Sequence, residues 1–152
     1  MDSTSTQTKI DDITPAEWEL MRIVWTKGSV YSRELISLMQ QKRDWSDSTI
    51  KTLLRRLVQK GLLNTEKEDR KFKYTAAVEE IKAMDVTARQ LFDHLCAMKR
   101  GQTLVNLIDH LELSQSDIES LQAVLTEKKK TAPETVKCDC LPEGMDETCD
   151  CN

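Results

Sequence analysis

The carboxyl-terminal tail carries the residues whose types and spacing best suit chemistry. Four of the five cysteines of the 152-residue chain fall within fourteen positions, as two Cys-Asp-Cys units separated by eight residues. Converging thiolates are soft ligands that suit Zn²⁺ in a tetrahedral four-sulfur site or Cu⁺. Pro142 and Gly144 lie between the two units and favour a chain reversal that brings them together. The predicted metal ligands are Cys138, Cys140, Cys149 and Cys151.

Two other interpretations of the tail are disulfides and unrelated surface thiols. A reducing cytoplasm disfavours disulfides, and a doubled motif is hard to produce by chance. Acidic neighbours are expected to raise the thiol pKa values and to attract a cation. Cys96 lies on a predicted helix, where we expect a small buried hydrophobic residue. His94 and His110 are predicted to be structural.

The charge of the chain is distributed unevenly, which bears on its partners. Residues 42–73 contain 10 Lys or Arg against 5 Asp or Glu, whereas residues 131–152 contain 1 against 6, so the formal net charge of −4 hides a basic segment. No apolar run approaches the ~20 residues that span a bilayer. No signal peptide is visible at the start. We therefore expect a cytoplasmic protein without a membrane partner.

The elements that must position these residues are mainly helical, with a small β wing. Thr14-Pro15 predicts the start of a first helix, Ser32 is predicted to cap a second and Ser46 a third, which Gly61 ends. The following segment changes to a period of two and predicts a hairpin, with Phe72 and Tyr74 facing inward and the lysines outward. The pattern predicts a winged helix-turn-helix domain, a helical dimerisation extension and a cysteine-rich tail. The predicted boundaries are a disordered arm over 1–12, the winged helix over 13–78, the extension over 79–130 and the tail over 131–152.

The third helix carries a polar and basic face opposite its apolar stripe. Such a mixture of hydroxyl and guanidinium groups is typical of a helix that reads the major groove, and basic residues of the wing can contact the neighbouring backbone. A solvated helix face is the simpler alternative, and winged helices also serve as protein-interaction modules. Helix order, hairpin and local charge together favour double-stranded DNA. The predicted DNA-binding residues are Ser46, Ser48, Thr49, Lys51, Thr52, Arg55, Arg56, Arg70, Lys71 and Lys73.

The extension carries apolar residues at alternating steps of three and four, typical of a helical seam. This seam either packs on its own domain or pairs with a second copy. Because one small domain cannot cover so long a face, we favour a homodimer, which also matches a two-fold operator.

With these residues assembled, the chain resembles the BlaI/MecI/CopY family of repressors, specifically its copper-responsive CopY branch. The matching strings are Thr14-Pro15-Ala16-Glu17-Trp18-Glu19-Leu20-Met21, Trp45-Ser46 and Thr49-Ile50-Lys51-Thr52-Leu53-Leu54-Arg55-Arg56-Leu57, with Trp25, Lys60-Gly61 and Tyr74. The paired Cys-x-Cys tail distinguishes the copper branch, although the gap of eight residues here is longer than is usual in that branch.

The resemblance implies a homodimeric repressor of a copper-homeostasis operon. The Zn²⁺-bound form would hold a palindromic operator and release it when Cu⁺ replaces the zinc, with a copper chaperone as the expected donor of Cu⁺. It implies that the four tail cysteines are the ligands, and that Ser48, Thr49, Thr52 and Arg55 face the groove.

Two rival functions remain at this point. One is a β-lactam-responsive repressor, in which proteolysis cuts an Asn-Phe bond; here the corresponding stretch reads Leu104-Val105-Asn106-Leu107. The other is a metal-storage or protein-interaction module that does not bind DNA. An enzyme is not expected, because no nucleophile–base pairing or phosphate loop is visible.

Overall fold

The structure is a computed structural model that describes Ile10 and residues 13–145. The chain divides into two compact units, residues 1–90 and residues 91–152. The first carries α1 (Pro15–Lys27), β1 (Ser29–Tyr31), α2 (Ser32–Lys42), α3 (Asp47–Gln59), β2 (Leu63–Glu68) and β3 (Lys71–Ala76). Helix α4 (Glu80–Asp93) begins in this unit. The second unit carries α5 (Arg100–His110) and α6 (Gln115–Lys129).

The starts of the helices follow the side chains that can satisfy unpaired backbone N–H groups. Thr14 and Ser46 each accept the N–H three residues ahead at 3.2 Å, which confirms both predicted caps. The predicted Ser32 cap is wrong, because Tyr31 occupies the cap position without a side-chain bond and Ser32 is the first helical residue. Tyr31 pairs with Lys73 of β3, and this pairing holds Tyr31 in the extended conformation. The strand therefore determines where α2 begins.

Helix α3 ends where the sequence predicts. Gly61 has a φ of 77° and donates its N–H to Val58 at 3.0 Å. Leu62 donates to the Leu57 carbonyl at 2.9 Å, which completes a Schellman motif. This left-handed residue turns the chain directly from α3 into β2.

The three strands form an antiparallel sheet in the order β1-β3-β2. The hairpin of β2 and β3 confirms the predicted wing, whereas β1, paired through Val30 and Tyr74, was not predicted. Tyr74 packs against the core as expected. Phe72 does not; it is 47% exposed, because it lies close to the tip of the hairpin, past the reach of the helices.

The core of the first unit is formed by the inner faces of the three helices and the start of the wing. Leu20 of α1, Leu35 of α2 and Leu54 of α3 are almost completely buried. Trp25 donates its indole N–H to the Val78 carbonyl at 2.9 Å, which ties α1 to the segment after β3. Ile10 is also buried, although it falls in the predicted arm; the other residues of that arm lie outside the described residues.

The second unit has helices with little buried surface. Ser114 and Asp117 form a reciprocal capping box that starts α6. Neither α5 nor α6 has a buried residue in the single chain. Within the described part of the chain, no helix is long and apolar enough to cross a bilayer.

Candidate functional site

Helix α3 separates a buried face from an exposed polar one. Ile50, Leu53, Leu54 and Leu57 are buried against the core. The predicted contact residues of this helix and its cap are all exposed, namely Ser46, Ser48, Thr49, Lys51, Thr52, Arg55 and Arg56. The structure therefore places them together on one accessible surface, which we call the α3 face.

Hydroxyl groups at the start of α3 are already organised by local hydrogen bonds. The Ser46 Oγ lies 3.1 Å from the Ser48 Oγ and 2.9 Å from the Thr49 Oγ1. Thr52 donates its hydroxyl to the Ser48 carbonyl at 2.9 Å. Asp47 accepts from Gln40 at 2.7 Å, which joins this turn to α2. These hydrogen bonds hold the hydroxyl groups at the start of α3 in fixed positions. Such fixed groups are suited to contacts with a binding partner.

The wing presents its predicted basic residues unequally. Arg70 and Lys71 are exposed at the hairpin tip, whereas Lys73 is only 30% exposed and lies 3.9 Å from Glu68. Glu68 also accepts the Tyr31 hydroxyl at 2.8 Å, and this bond together with the carboxylate charge raises the pKa of Tyr31. We therefore expect Arg70 and Lys71 to be the stronger candidates for phosphate contacts.

A cluster of sulfur atoms lies in the second unit. The Sγ atoms of Cys96, Cys138 and Cys140 all lie within 4.8 Å of one another, a group that we call the thiol cluster. The sulfur atoms of Cys96 and Cys138 approach to 3.6 Å, although the two residues lie 42 positions apart in the chain. Cys149 and Cys151, the other two predicted ligands, lie outside the described residues. The structure thus brings two predicted ligands together and places a third cysteine, Cys96, beside them.

The expectation for Cys96 needs correction. It is half-buried and faces sulfur, not buried as a hydrophobic residue of a helix, and it lies in the loop between α4 and α5. No periodicity or spacing in the sequence indicates this neighbourhood, since the proximity arises from tertiary structure. His94 and His110 are exposed and are not members of the cluster.

Asp139, between the two tail cysteines, fastens the tail to this loop. Its Oδ1 accepts the Ala97 N–H at 2.9 Å, and its Oδ2 lies 3.3 Å from the Arg100 guanidinium. The Ala97 bond is the main reason why the pKa of Asp139 is lowered, with the Arg100 charge adding to it. The carboxylate therefore stays ionised and keeps the tail in register.

The donor set fits a soft metal ion. With Zn–S bonds of ~2.3 Å, neighbouring sulfurs of a tetrahedral site are ~3.8 Å apart, close to the 3.6 Å between the sulfurs of Cys96 and Cys138. Thiolates select Cu⁺ and Zn²⁺ over hard cations. Further along the tail, Gly144 has a φ of 89° and Met145 donates to the Pro142 carbonyl at 3.1 Å, which forms a turn. Whether this turn brings the two Cys-Asp-Cys units together stays a prediction, because the second unit lies outside the described residues.

Comparisons with known proteins give a consistent result. Residues 13–127 match the model of the penicillinase repressor family. The chain is 61% identical over 141 residues to an uncharacterised 16.5 kDa protein of Latilactobacillus sakei, an alignment that covers 93% of this chain and 94% of the relative. It is 33% identical over 120 residues to the methicillin resistance regulatory protein MecI of Mammaliicoccus sciuri, covering 79% of this chain and 98% of the relative.

A third relative is the penicillinase repressor of Bacillus licheniformis, 32% identical over 126 residues, with 83% of this chain and 98% of the relative covered. The family match ends at residue 127, before Cys138. The thiol cluster therefore combines one residue inside the family match with two beyond it.

Proposed function

The chain belongs to the penicillinase repressor family, the BlaI/MecI/CopY group of DNA-binding transcriptional repressors, and on this premise we propose that it is a copper-responsive repressor of a copper-homeostasis operon. The observation that carries the copper response is the thiol cluster, in which tail residues beyond the family match meet at a spacing suited to a soft ion.

The proposed reader of the operator is the α3 face together with the wing tip. Arg55 and Arg56 can reach base edges and phosphates in the major groove, while the ordered hydroxyls of Ser48 and Thr52 suit shorter contacts. Arg70 and Lys71 at the tip would position the domain on the backbone without reading sequence. Buried Leu54 and Leu57 hold α3 against the core, so that the reading side chains start from a rigid helix.

The proposed active form is a homodimer assembled through the extension. Apolar seam residues of the second unit are exposed in the single chain, which supports a partner helix surface. They are Leu91, Met98, Leu104, Leu107, Leu111, Ile118 and Leu125. A two-fold pair would place two α3 faces on successive half-sites of a palindromic operator.

The proposed response is release of DNA when the tail thiolates hold Cu⁺, with the Zn²⁺-bound form as the repressor. Such coupling requires that Cu⁺ bind more tightly to the form that does not hold DNA, and DNA binding must then weaken Cu⁺ affinity by the same factor. We also propose a copper chaperone as the donor of Cu⁺ and a cytoplasmic location. The predicted ligands of the outer pair, Cys149 and Cys151, remain part of this proposal.

The test is an anaerobic titration of the Zn-loaded full chain on its upstream DNA with Cu⁺, followed by fluorescence anisotropy. We expect DNA to be released as Cu⁺ is added. The control is Cys138→Ser/Cys140→Ser, whose affinity for the same DNA should not change when Cu⁺ is added. If the affinity of the wild-type chain for DNA did not change when Cu⁺ was added, the proposed copper response would be wrong, whereas the proposed DNA binding would stand.

A second candidate is a β-lactam-responsive repressor, favoured by the names of the relatives at 32–33% identity. Asn106-Leu107, which corresponds to the cleavage position expected from the resemblance, lies within α5. Exposure of the host cells to a β-lactam, followed by immunoblotting, distinguishes the candidates. Cleavage of the chain near this bond would favour the β-lactam-responsive function. An intact chain would favour the copper-responsive function.

A further inference from the structure

We infer that Cys96 is a thiolate ligand of the same ion as Cys138 and Cys140, so that the metal site is built on the loop between α4 and α5 and not on the tail alone. This inference rests on the proposed metal response and extends it to a residue outside both Cys-Asp-Cys units. It also gives the ion a defined place in the fold.

The geometry of the sulfurs supports this assignment. The Sγ atoms of Cys96 and Cys138 are 3.6 Å apart, well beyond the ~2.05 Å of a disulfide and near the ~3.8 Å edge of a tetrahedral thiolate site. Cys140 completes a triangle in which no sulfur pair exceeds 4.8 Å. A soft ion can therefore meet all three sulfurs with small adjustments of the side chains.

The tail is held in the register that this triangle requires. Asp139 accepts the N–H of Ala97, next to Cys96, at 2.9 Å and faces Arg100 at 3.3 Å. Arg100 also donates to the carbonyls of Leu95 at 3.0 Å and Asp93 at 3.2 Å, so its guanidinium is braced by the loop itself. Bonds of this kind orient ligands around a site and reduce the ordering that ion binding must impose.

A set of three sulfur ligands favours Cu⁺, because the thiol cluster alone can complete the coordination of this ion. A trigonal thiolate set suits this soft monovalent ion, whereas Zn²⁺ takes a tetrahedral set and needs a further donor. The two ions would thus differ in how many further tail ligands they recruit.

A ligand at position 96 changes what the ion does to the fold. An ion that joins Cys96 to Cys138 closes a loop containing the whole of α5 and α6. Closing such a loop restricts the unfolded chain and stabilises the helices within it. Ion binding is therefore expected to stabilise the proposed dimerisation helices directly, because the ion would join the two ends of the segment that contains them.

The test uses Co²⁺ as a spectroscopic probe of the reduced full-length chain, because its thiolate charge-transfer absorbance grows with each coordinating sulfur. We compare wild type with Cys96→Ser, Cys138→Ser/Cys140→Ser and Cys149→Ser/Cys151→Ser. The matched control is His94→Gln, which removes a nearby imidazole of the same loop that is not part of the thiol cluster. Circular dichroism checks that each variant keeps its helices.

We expect Cys96→Ser to lower the absorbance by the share of one thiolate and to weaken Cu⁺ binding, measured by chelator competition, by more than the ~100-fold typical of an outer-shell change. The Cys149→Ser/Cys151→Ser chain should keep a thiolate band, and adding Cys96→Ser to it should reduce that band further. His94→Gln should match wild type.

A Cys96→Ser chain with wild-type absorbance and wild-type Cu⁺ affinity would overturn this inference. If that result came with loss of the band in Cys138→Ser/Cys140→Ser, the proposed tail site would stand without Cys96. Absence of any thiolate band in the wild-type chain would overturn both proposals.

Discussion

Lys60, just after α3, donates its ammonium group to both carboxylate oxygens of Glu17 in α1, at 2.8 Å each. The Glu17 side chain is 1% exposed and that of Lys60 is 21% exposed. This pair links the end of α3 to α1, the helix on which α3 packs. A carboxylate buried to this degree depends on a cation beside it, because an unpaired buried charge is strongly destabilising.

The first prediction concerns this pair. Lys60→Met should lower the free energy of unfolding by about 3 kcal/mol, because it leaves the Glu17 carboxylate buried without its cation. Glu17→Leu/Lys60→Met should recover most of that loss, since an apolar pair can replace a buried ion pair. Urea unfolding followed by tryptophan fluorescence measures both. Equal destabilisation of the single and double variants would contradict the explanation.

The second prediction concerns the α3 cap. Ser46→Ala should destabilise the first unit by about 1 kcal/mol, because the Thr49 N–H loses its acceptor. Ser46→Asp should restore the cap but weaken DNA binding, since its charge would face phosphates. Ser48→Ala, which removes a hydroxyl of the same turn that does not cap a backbone N–H, should stay within about 0.5 kcal/mol of wild type. Thermal unfolding and anisotropy on operator DNA separate the two effects.

The third prediction concerns the wing tip, where Asp69 and Arg70 have φ values of 46° and 73°. This two-residue turn favours Asp-Gly, and the left-handed conformation costs a non-glycine residue about 1 kcal/mol. Arg70→Gly should therefore stabilise the fold by about that amount and weaken DNA binding, with the salt dependence of the affinity reduced by about one counterion.

Arg70→Ala is the matched control for the wing tip. It removes the same charge without relieving the backbone, so it should weaken DNA binding equally and give no gain in stability. An Arg70→Gly chain that binds DNA as tightly as wild type, with an unchanged salt slope, would rule out a phosphate contact here.

The fourth prediction concerns pH. The Glu19 pKa is lowered from its ordinary 4.5, chiefly by the hydrogen bond from Arg43 at 2.7 Å. A depressed pKa in the folded state stabilises the protein above the unfolded value, and this contribution disappears as the pH falls through the folded value. The difference in stability between wild type and Glu19→Gln should thus be largest well above the ordinary pKa of 4.5 and should shrink as the pH falls below it. A difference independent of pH would contradict this origin.

Much of the DNA-binding unit follows from local signals that the sequence displays. The caps at Thr14 and Ser46 and the stop at Gly61 need only neighbouring residues, and they appear where predicted. Strand β1 could not be predicted in this way, because its three residues are too few to show an alternation of apolar and polar side chains. The exposure of Phe72 depends on how far the helices extend under the wing, which strand periodicity does not encode.

The thiol cluster marks the limit of sequence reasoning for the site. The spacing of Cys138 and Cys140 in the sequence indicates that they are metal ligands, and their sulfur atoms lie close together in the structure. Cys96 is separated from them by two helices, and its helical surroundings suggest packing. Only the folded chain places it beside them, through the Asp139 contacts to the α4–α5 loop.

The sheet order also bears on how copies of this protein avoid wrong association. Because β3 is central, β2 is a six-residue edge strand, and its outer half reads Glu66-Lys67-Glu68. Alternating charges on an exposed edge discourage amyloid-like growth from strand to strand. Even when many copies accumulate, the wing is thus protected from association through its sheet edge.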